Sequence, residues 1–314
     1  MFINILLIVL GFAMLKYGAE FLVDGSSSIA RKFRIPSIVI GLTIVSIGTS
    51  MPELMVSASS AMSGHPELAL GNVVGSNLAN MLLILGICAM IAPLPFQRHT
   101  AHVDSPIMLF VTILVFIFCN YFGGKCITRI EGIVLLLITA GYIIYNIFEA
   151  RKSIQSDNES NEEFNAIKAI ALVVMGIVLL KYGGDFVCDN AVAIASKLGV
   201  SEKLIGITIV SVATSLPELV TSLTATRKGD VDIAIGNILG SNIFNICLII
   251  GTAAAISPMS YALSYNLDFY ILIASSAILC IFPFIKKRYE MTRIQGLLFF
   301  ICYLGYIAIS IFRG

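Results

Sequence analysis

Charge is what this chain has least of. Lys, Arg, Asp and Glu make up 12% of its 314 residues, against 58% hydrophobic residues, whereas a soluble domain averages about 25% charged. The mean hydropathy is +0.94. That balance excludes an ordinary soluble domain and points to a chain that crosses a lipid bilayer repeatedly. The 20 basic residues are offset by 19 acidic ones and form no basic face, so no nucleic-acid partner is expected. Histidine is scarcer still: His65, His99 and His102 fall in loops between apolar segments and are not expected to be ligands. The seven cysteines (Cys88, Cys119, Cys126, Cys188, Cys247, Cys280, Cys302) are scattered, mostly within apolar segments, with no CxxC or Cys/His spacing. They read as packing residues rather than a zinc site. The apolar segments also lack His-Glu-x-x-His or a Ser/His pairing, which argues against an intramembrane enzyme. The opening Met-Phe-Ile-Asn has no basic n-region, so the first apolar segment is expected to be retained rather than cleaved as a signal peptide.

What is present is a series of long apolar runs. They fall at about 2–24, 38–61, 68–90, 103–121 and 130–148, and resume after a polar stretch at about 167–189, 203–226, 233–256, 267–285 and 295–312. Each is long enough to span the bilayer as a helix. The two sets are copies. A shift of 165 lays Lys16-Tyr17-Gly18 on Lys181-Tyr182-Gly183, Glu53 on Glu218 and Ser57 on Ser222. It also lays Gly71-Asn72-Val73-Val74-Gly75-Ser76-Asn77 on Gly236-Asn237-Ile238-Leu239-Gly240-Ser241-Asn242. A shift of 164 pairs Arg129 with Arg293, Gly132 with Gly296 and Gly141-Tyr142 with Gly305-Tyr306. One offset sustained over so many positions signals an internal duplication.

The expected fold is therefore an all-α polytopic membrane protein of ten transmembrane helices. Residues 1–150 form the first five-span repeat, 151–166 an acidic linker, and 167–314 the second repeat. An odd number of spans per copy makes the second copy enter from the opposite side, an inverted repeat. With the N-terminus outside, the inner loops hold Arg31, Lys32, Arg34, Arg98, Arg151, Lys152, Lys168, Arg227, Lys228, Lys286, Lys287, Arg288 and Arg293. The outer loops hold only Lys125, Arg129, Lys197, Lys203 and Arg313. The positive-inside rule thus predicts both termini outside and a cytoplasmic linker. Lys16, Glu20 and Asp24, and Lys181, Asp185 and Asp189, recur at i, i+4 spacing, and local pairing with snorkelling accounts for them.

The chemistry concentrates at Gly48-Thr49-Ser50-Met51-Pro52-Glu53 and its copy Ala213-Thr214-Ser215-Leu216-Pro217-Glu218. A carboxylate in mid-span is costly and is a functional-site candidate by default. Pro52 and Pro217 lack an N–H and push against the preceding turn, so each helix is predicted to bend or open there. Carbonyls around Ser46–Thr49 and Ser211–Thr214 lose their partners, and such backbone persists in a membrane only where it lines a cavity or binds something. Freed carbonyls, the hydroxyls of Thr49, Ser50, Thr214 and Ser215, and the two carboxylates form an all-oxygen set. That set suits a hard cation such as calcium and offers no thiolate or imidazole to a soft metal. In the next spans, Gly71 and Gly75, like Gly236 and Gly240, give small-xxx-small surfaces for close packing. Ser76 and Asn80 lie one helical turn apart, as do Ser241 and Asn245. Asn72, Asn77, Asn237 and Asn242 add amides suited to capping, bridging spans or lining a path.

At these motifs the chain resembles the cation/calcium exchanger superfamily, and most closely its prokaryotic sodium/calcium exchanger branch. The resemblance covers essentially the whole chain. It implies that Glu53 and Glu218 ligate calcium with the backbone carbonyls of Thr49 and Thr214. Sodium would use Ser46, Ser50, Ser76, Ser211, Ser215 and Ser241 besides both glutamates, and Asn80 and Asn245 would line the centre. Asn245 stands where some relatives, potassium-dependent exchangers among them, carry Asp, which removes one acid from the site. The resemblance further implies no cofactor, Ca²⁺ and Na⁺ as cargo, the plasma (inner) membrane of a prokaryote as location, and a three-for-one stoichiometry.

Charge arithmetic points the same way without the resemblance. Two unpaired carboxylates cannot pass cheaply through a closed, low-dielectric intermediate, whereas one Ca²⁺ or two to three Na⁺ neutralise them. Alternation of the two ions on one site, an antiport, is the expectation. A Ca²⁺/H⁺ or K⁺-dependent exchanger is the alternative within the class. A cation channel is the alternative outside it, disfavoured because a closed cage holds ions too firmly for fast passage.

Overall fold

The computed structural model describes residues 1–122, 125–152, 165–199, 211–287 and 289–313. Helix α1 (Phe2–Phe33) opens the chain. A bent pair follows, α2 (Ser37–Thr49) and α3 (Met51–Met62), and then α4 (Leu68–Ile91), α5 (Thr100–Tyr121) and α6 (Arg129–Arg151). After the linker come α7 (Ala166–Lys197), the short α8 (Ser211–Thr214) and α9 (Leu216–Lys228). The last three are α10 (Val231–Ile256), α11 (Leu263–Ile285) and α12 (Arg293–Phe312). Eight of these helices are long and apolar enough to cross a membrane singly, and the pair α2–α3 is bent by 47°. The expected linker falls largely on 153–164, and the start of the expected span 203–226 on 203–210. Both stretches lie outside the described residues.

Burial sorts the helices. The most apolar stretch of α10 is 94% buried and that of α4 72%, whereas α1 and α12 bury 22% and 17%. The outer helices present large apolar side chains outward, such as Leu137 and Ile144 on α6 and Leu297 and Ile301 on α12. An apolar exterior this extensive has lipid as its natural solvent.

Helices α1 and α7 lie antiparallel, backbone against backbone. A Cβ added to Gly11 would fall 2.8 Å from the Gly183 carbonyl oxygen, one on Gly18 3.0 Å from that of Gly176, and one on Gly25 2.8 Å from that of Ala169. The descending partner numbers fix the antiparallel sense. Both helices run 32 residues, about 48 Å, well beyond the ~30 Å hydrocarbon core. They are longer than the apolar runs predicted, because polar turns continue the helix past the lipid. Helix α1 stops where Arg34 turns left-handed (φ 54°) and its N–H reaches the Ala30 and Arg31 carbonyls.

Gly236 and Gly240 give the predicted close approach. Their added Cβ atoms would meet the Ile38 carbonyl at 2.6 Å and Ser46 Oγ at 2.5 Å, so α10 is seated directly on α2. Gly71 instead faces the Tyr265 hydroxyl. Four two-residue strands depart from the all-α expectation, and all of them lie in connections. β1 (Leu94–Pro95) pairs antiparallel with β4 (Glu290–Met291), and β2 (Cys126–Ile127) with β3 (Met259–Ser260). Arg129 caps the last turn of α10 at the Ile256 carbonyl, and Arg293 caps α4 at that of Ile91. These contacts are related by the same 164–165 offset as the sequence repeat.

Of the expected local ion pairs, Lys181–Asp185 forms at 2.7 Å. Asp24 does not pair along its own helix. It bonds Lys228 at the C-terminus of α9, 2.5 Å away, while Ser27 donates to Asp230. Its turn neighbour Glu20 carries the same charge, and the packing of α1 on α9 supplies an ammonium instead. The seven cysteines are free thiols.

Candidate cation site

The two Thr-Ser-x-Pro-Glu segments fold alike. Ser50 (φ −85°, ψ 4°) and Ser215 (φ −89°, ψ 5°) both leave helical geometry, and each is followed by a helix with proline in its first turn. This bridge-region conformation is sparsely populated and recurs at active sites. The cause is local: proline takes no part in the hydrogen-bond ladder and crowds the turn before it. Glu53 and Glu218 thereby fall in the first turn of α3 and α9, where unpaired N–H groups favour negative charge.

Both glutamates are fully buried and act on each other electrostatically. The Ser50 hydroxyl donates to Glu218 Oε1 over 3.0 Å, so the break in one half bonds the acid of the other. Glu53 Oε1 and Oε2 and Glu218 Oε2 have no hydrogen-bond partner. Among the described residues no Lys or Arg forms an ion pair with either acid.

The remaining predicted site residues divide by what they touch. Thr49 is buried; its hydroxyl meets Asn237 Oδ1 at 2.9 Å, the Ser46 carbonyl at 3.3 Å and Ser241 Oγ at 3.4 Å. Ser46, also buried, donates to the Thr43 carbonyl. Ser76 Oγ, Ser215 Oγ, both amide atoms of Asn80 and Asn245 Oδ1 are buried without partners. Asn245 Nδ2 donates to Asn77 Oδ1 at 3.0 Å. Thr214 ends α8 and is half-buried. The Ser211 side chain lies outside the described residues.

One feature was not foreseen. The helix widens into a π-turn at Ala79–Ile84 in α4 and at Asn245–Ile249 in α10, so Asn80 and Asn245 both sit where the backbone ladder is loosened. Such insertions concentrate at functional positions. Asn237 takes the span-bridging role expected of the repeat amides, its side chain joining α2 and α9. Its only sequence signal was membership of the repeated Gly-Asn pair.

Unpaired buried carboxylate oxygens are expensive unless a ligand completes them. The donor set here is carboxylate, hydroxyl, amide and carbonyl oxygen. Among the described residues no cluster of three His, Cys, Asp or Glu exists. That composition matches a weakly selective cage for hard cations rather than a transition-metal site.

A buried two-acid site held by broken helices in an apolar helical bundle defines a multi-pass cation transporter. The chain belongs to the sodium/calcium exchanger protein family, whose model matches residues 3–148 and again 168–312. It is 34% identical over 318 residues to the putative antiporter CaxA of Alkalimonas amylolytica, covering 98% of each chain. It is 31% identical over 345 residues to the sodium/calcium exchanger MaX1 of Methanosarcina acetivorans, again covering 98% of each. Among solved structures it resembles the sodium-calcium exchanger NCX_Mj soaked with 2.5 mM Na⁺ and 1 mM Sr²⁺. That match has a TM-score of 0.86 and 30% identity, covering 97% of both chains.

Proposed function

We propose that this protein is a secondary antiporter that exchanges Na⁺ for Ca²⁺ on one central site by alternating access. The observation that carries the reading is the pair Glu53 and Glu218: both fully buried, Glu218 bonded by Ser50 of the opposite half, and the other three carboxylate oxygens without hydrogen-bond partners. Glu53, Glu218, Thr49, Thr214, Ser46, Ser50, Ser76, Asn80, Ser211, Ser215, Ser241 and Asn245 form the proposed ion-binding set. The empty site carries two negative charges and crosses the low-dielectric state only when a cation load neutralises them. Three Na⁺ against one Ca²⁺ moves one net charge per cycle, so a sodium gradient and the membrane potential together drive calcium out.

The proposal includes ten spans arranged as inverted repeats 1–150 and 167–314, joined by a cytoplasmic linker at 151–166, with both termini outside a prokaryotic inner membrane. The antiparallel packing of α1 on α7 supports it, because these helices are copies of one another. So does the segregation of contacts. Loops at Leu94–Pro95 and Glu290–Met291 meet each other, and those at Cys126–Ile127 and Met259–Ser260 meet separately. Impermeant thiol labelling of a cysteine placed at Ser156 in inside-out vesicles, but not right-side-out ones, is the expected outcome.

The deciding experiment is ⁴⁵Ca uptake into sodium-loaded proteoliposomes with Na⁺, K⁺ and H⁺ gradients varied separately. Uptake should follow the outward sodium gradient and vanish in Glu53→Gln and Glu218→Gln. Uptake indifferent to sodium but driven by a pH step would make the protein a Ca²⁺/H⁺ antiporter, and dependence on added K⁺ a potassium-coupled one.

A further inference from the structure

Asn237 lies on α10 and is fully buried. Its Oδ1 faces the Thr49 hydroxyl at 2.9 Å, and its Nδ2 faces Ser222 Oγ at 2.9 Å and the Glu218 backbone carbonyl at 3.4 Å. One amide therefore touches the bent segment of the first half and the acid-bearing helix of the second. Its orientation follows from chemistry. The Glu218 carbonyl can only accept, so a flipped amide would set oxygen against oxygen there. With Nδ2 committed to α9, Oδ1 is left for Thr49, and the Thr49 hydroxyl must be the donor.

That commitment has a consequence at the site. A hydroxyl whose proton points away presents only lone pairs to its other neighbours. Without Asn237 the Thr49 proton would turn to Ser241 Oγ, 3.4 Å away, or to the Ser46 carbonyl, 3.3 Å away, which already accepts the Ser50 N–H, and so occupy a further lone pair at the broken turn. The repeat-related Asn72 makes the matching donation, to Ser57 Oγ at 3.3 Å, but is half-buried where Asn237 is fully buried.

We propose that Asn237 is a positioning residue for the cation site: it takes up the Thr49 hydroxyl proton, keeping the oxygens of the Ser46–Thr49 turn turned to the ion, while it fixes Glu218 at the same distance from α2. This rests on the reading of the site as a sodium/calcium exchange site. Partners that orient first ligands typically contribute about 10- to 100-fold in metal affinity.

The test is sodium-driven ⁴⁵Ca uptake in proteoliposomes holding matched amounts of wild type, Asn237→Ala, Thr49→Val and the double variant. Thr49→Val removes the same bond from the other side, keeps the Thr49 carbonyl and leaves both Asn237 donors in place. Each single variant should raise the half-saturating calcium concentration about 10- to 100-fold. For Asn237→Ala the maximal rate should stay within about threefold, and the double variant should be no worse than the weaker single one. Half-saturation within about twofold of wild type, fully additive losses, or a loss confined to the maximal rate would each overturn the proposal. If Asn237→Ala is not recovered folded, Asn237→Ser, which keeps a polar group but is too short to reach Thr49, is measured in its place against the same thresholds. Absence of sodium-driven uptake in wild type, or its survival in Glu53→Gln and Glu218→Gln, defeats the exchanger reading itself. Normal wild-type exchange with unaffected Asn237→Ala and Thr49→Val defeats only the role of Asn237.

Discussion

The Ser50 hydroxyl donates to Oε1 of Glu218 over 3.0 Å, across 168 residues of chain and between the two halves of the molecule. Its repeat-related partner does not reciprocate: Ser215 Oγ is buried with no hydrogen bond, and both oxygens of Glu53 are likewise unpaired. The two halves share a sequence pattern but occupy different states of it. Within the site, Glu218 is the acid already held in place and Glu53 the one waiting for a partner.

That asymmetry separates Ser50→Ala from Ser215→Ala. A hydrogen bond to a charged group contributes about 1.5–3 kcal/mol, so Ser50→Ala should weaken equilibrium ⁴⁵Ca binding by roughly ten- to a hundredfold. Ser215→Ala removes no bond formed in this state and should weaken it less. Equal losses in detergent-solubilised protein would contradict the asymmetric arrangement.

Electrogenic exchange predicts a response to voltage with a definite sign. In sodium-loaded proteoliposomes one Ca²⁺ enters as three Na⁺ leave, a net exit of one positive charge. An inside-positive potential of 100 mV should therefore favour uptake by about 2.3 kcal/mol per cycle. A potential set by valinomycin and an inward potassium gradient should accelerate ⁴⁵Ca entry, and the reverse gradient should slow it. A rate unmoved by either would mean an electroneutral two-for-one cycle.

Two glycines that look alike in the sequence should respond oppositely to alanine. A Cβ on Gly18 would meet the Leu180 backbone nitrogen at 2.9 Å and the Gly176 carbonyl at 3.0 Å, whereas one on Gly141 meets nothing within 4 Å. Forcing a methyl into the α1–α7 seam should cost about 1–3 kcal/mol. Gly141→Ala should stabilise by up to about 1 kcal/mol through helix propensity. Thermal unfolding in detergent checks both, with a lower Tm expected for Gly18→Ala and an equal or higher one for Gly141→Ala.

Much of the candidate site is legible in the sequence. Apolar run length announces spans because bilayer thickness sets helix length. A mid-span acid announces function because lipid cannot solvate it, and Pro52 and Pro217 announce the breaks because proline cannot join the ladder. The 165-residue offset paired Glu53 with Glu218 with no knowledge of contacts. Other features were not readable, since they depend on which helix lies beside which. The Asp24–Lys228 pair was one; local spacing favoured partners on the same helix, and only the packing of α1 against α9 replaced them. The π-turns at Asn80 and Asn245 were another, because a one-residue widening of a helix leaves no period in the pattern of apolar positions.

Residue order alone determined the membrane environment, the duplication, the positions of both helix breaks and the oxygen chemistry of the site, because each follows from local composition and spacing. Tertiary structure decided which oxygen faces which. It gave Glu218 rather than Glu53 the Ser50 hydroxyl, set the Asn237 amide between Thr49 of one half and Ser222 of the other, and seated Gly236 and Gly240 on α2. Two halves that repeat the same motifs leave such differences to packing. They arise only when the halves pack against each other and one arrangement of shared donors excludes its mirror.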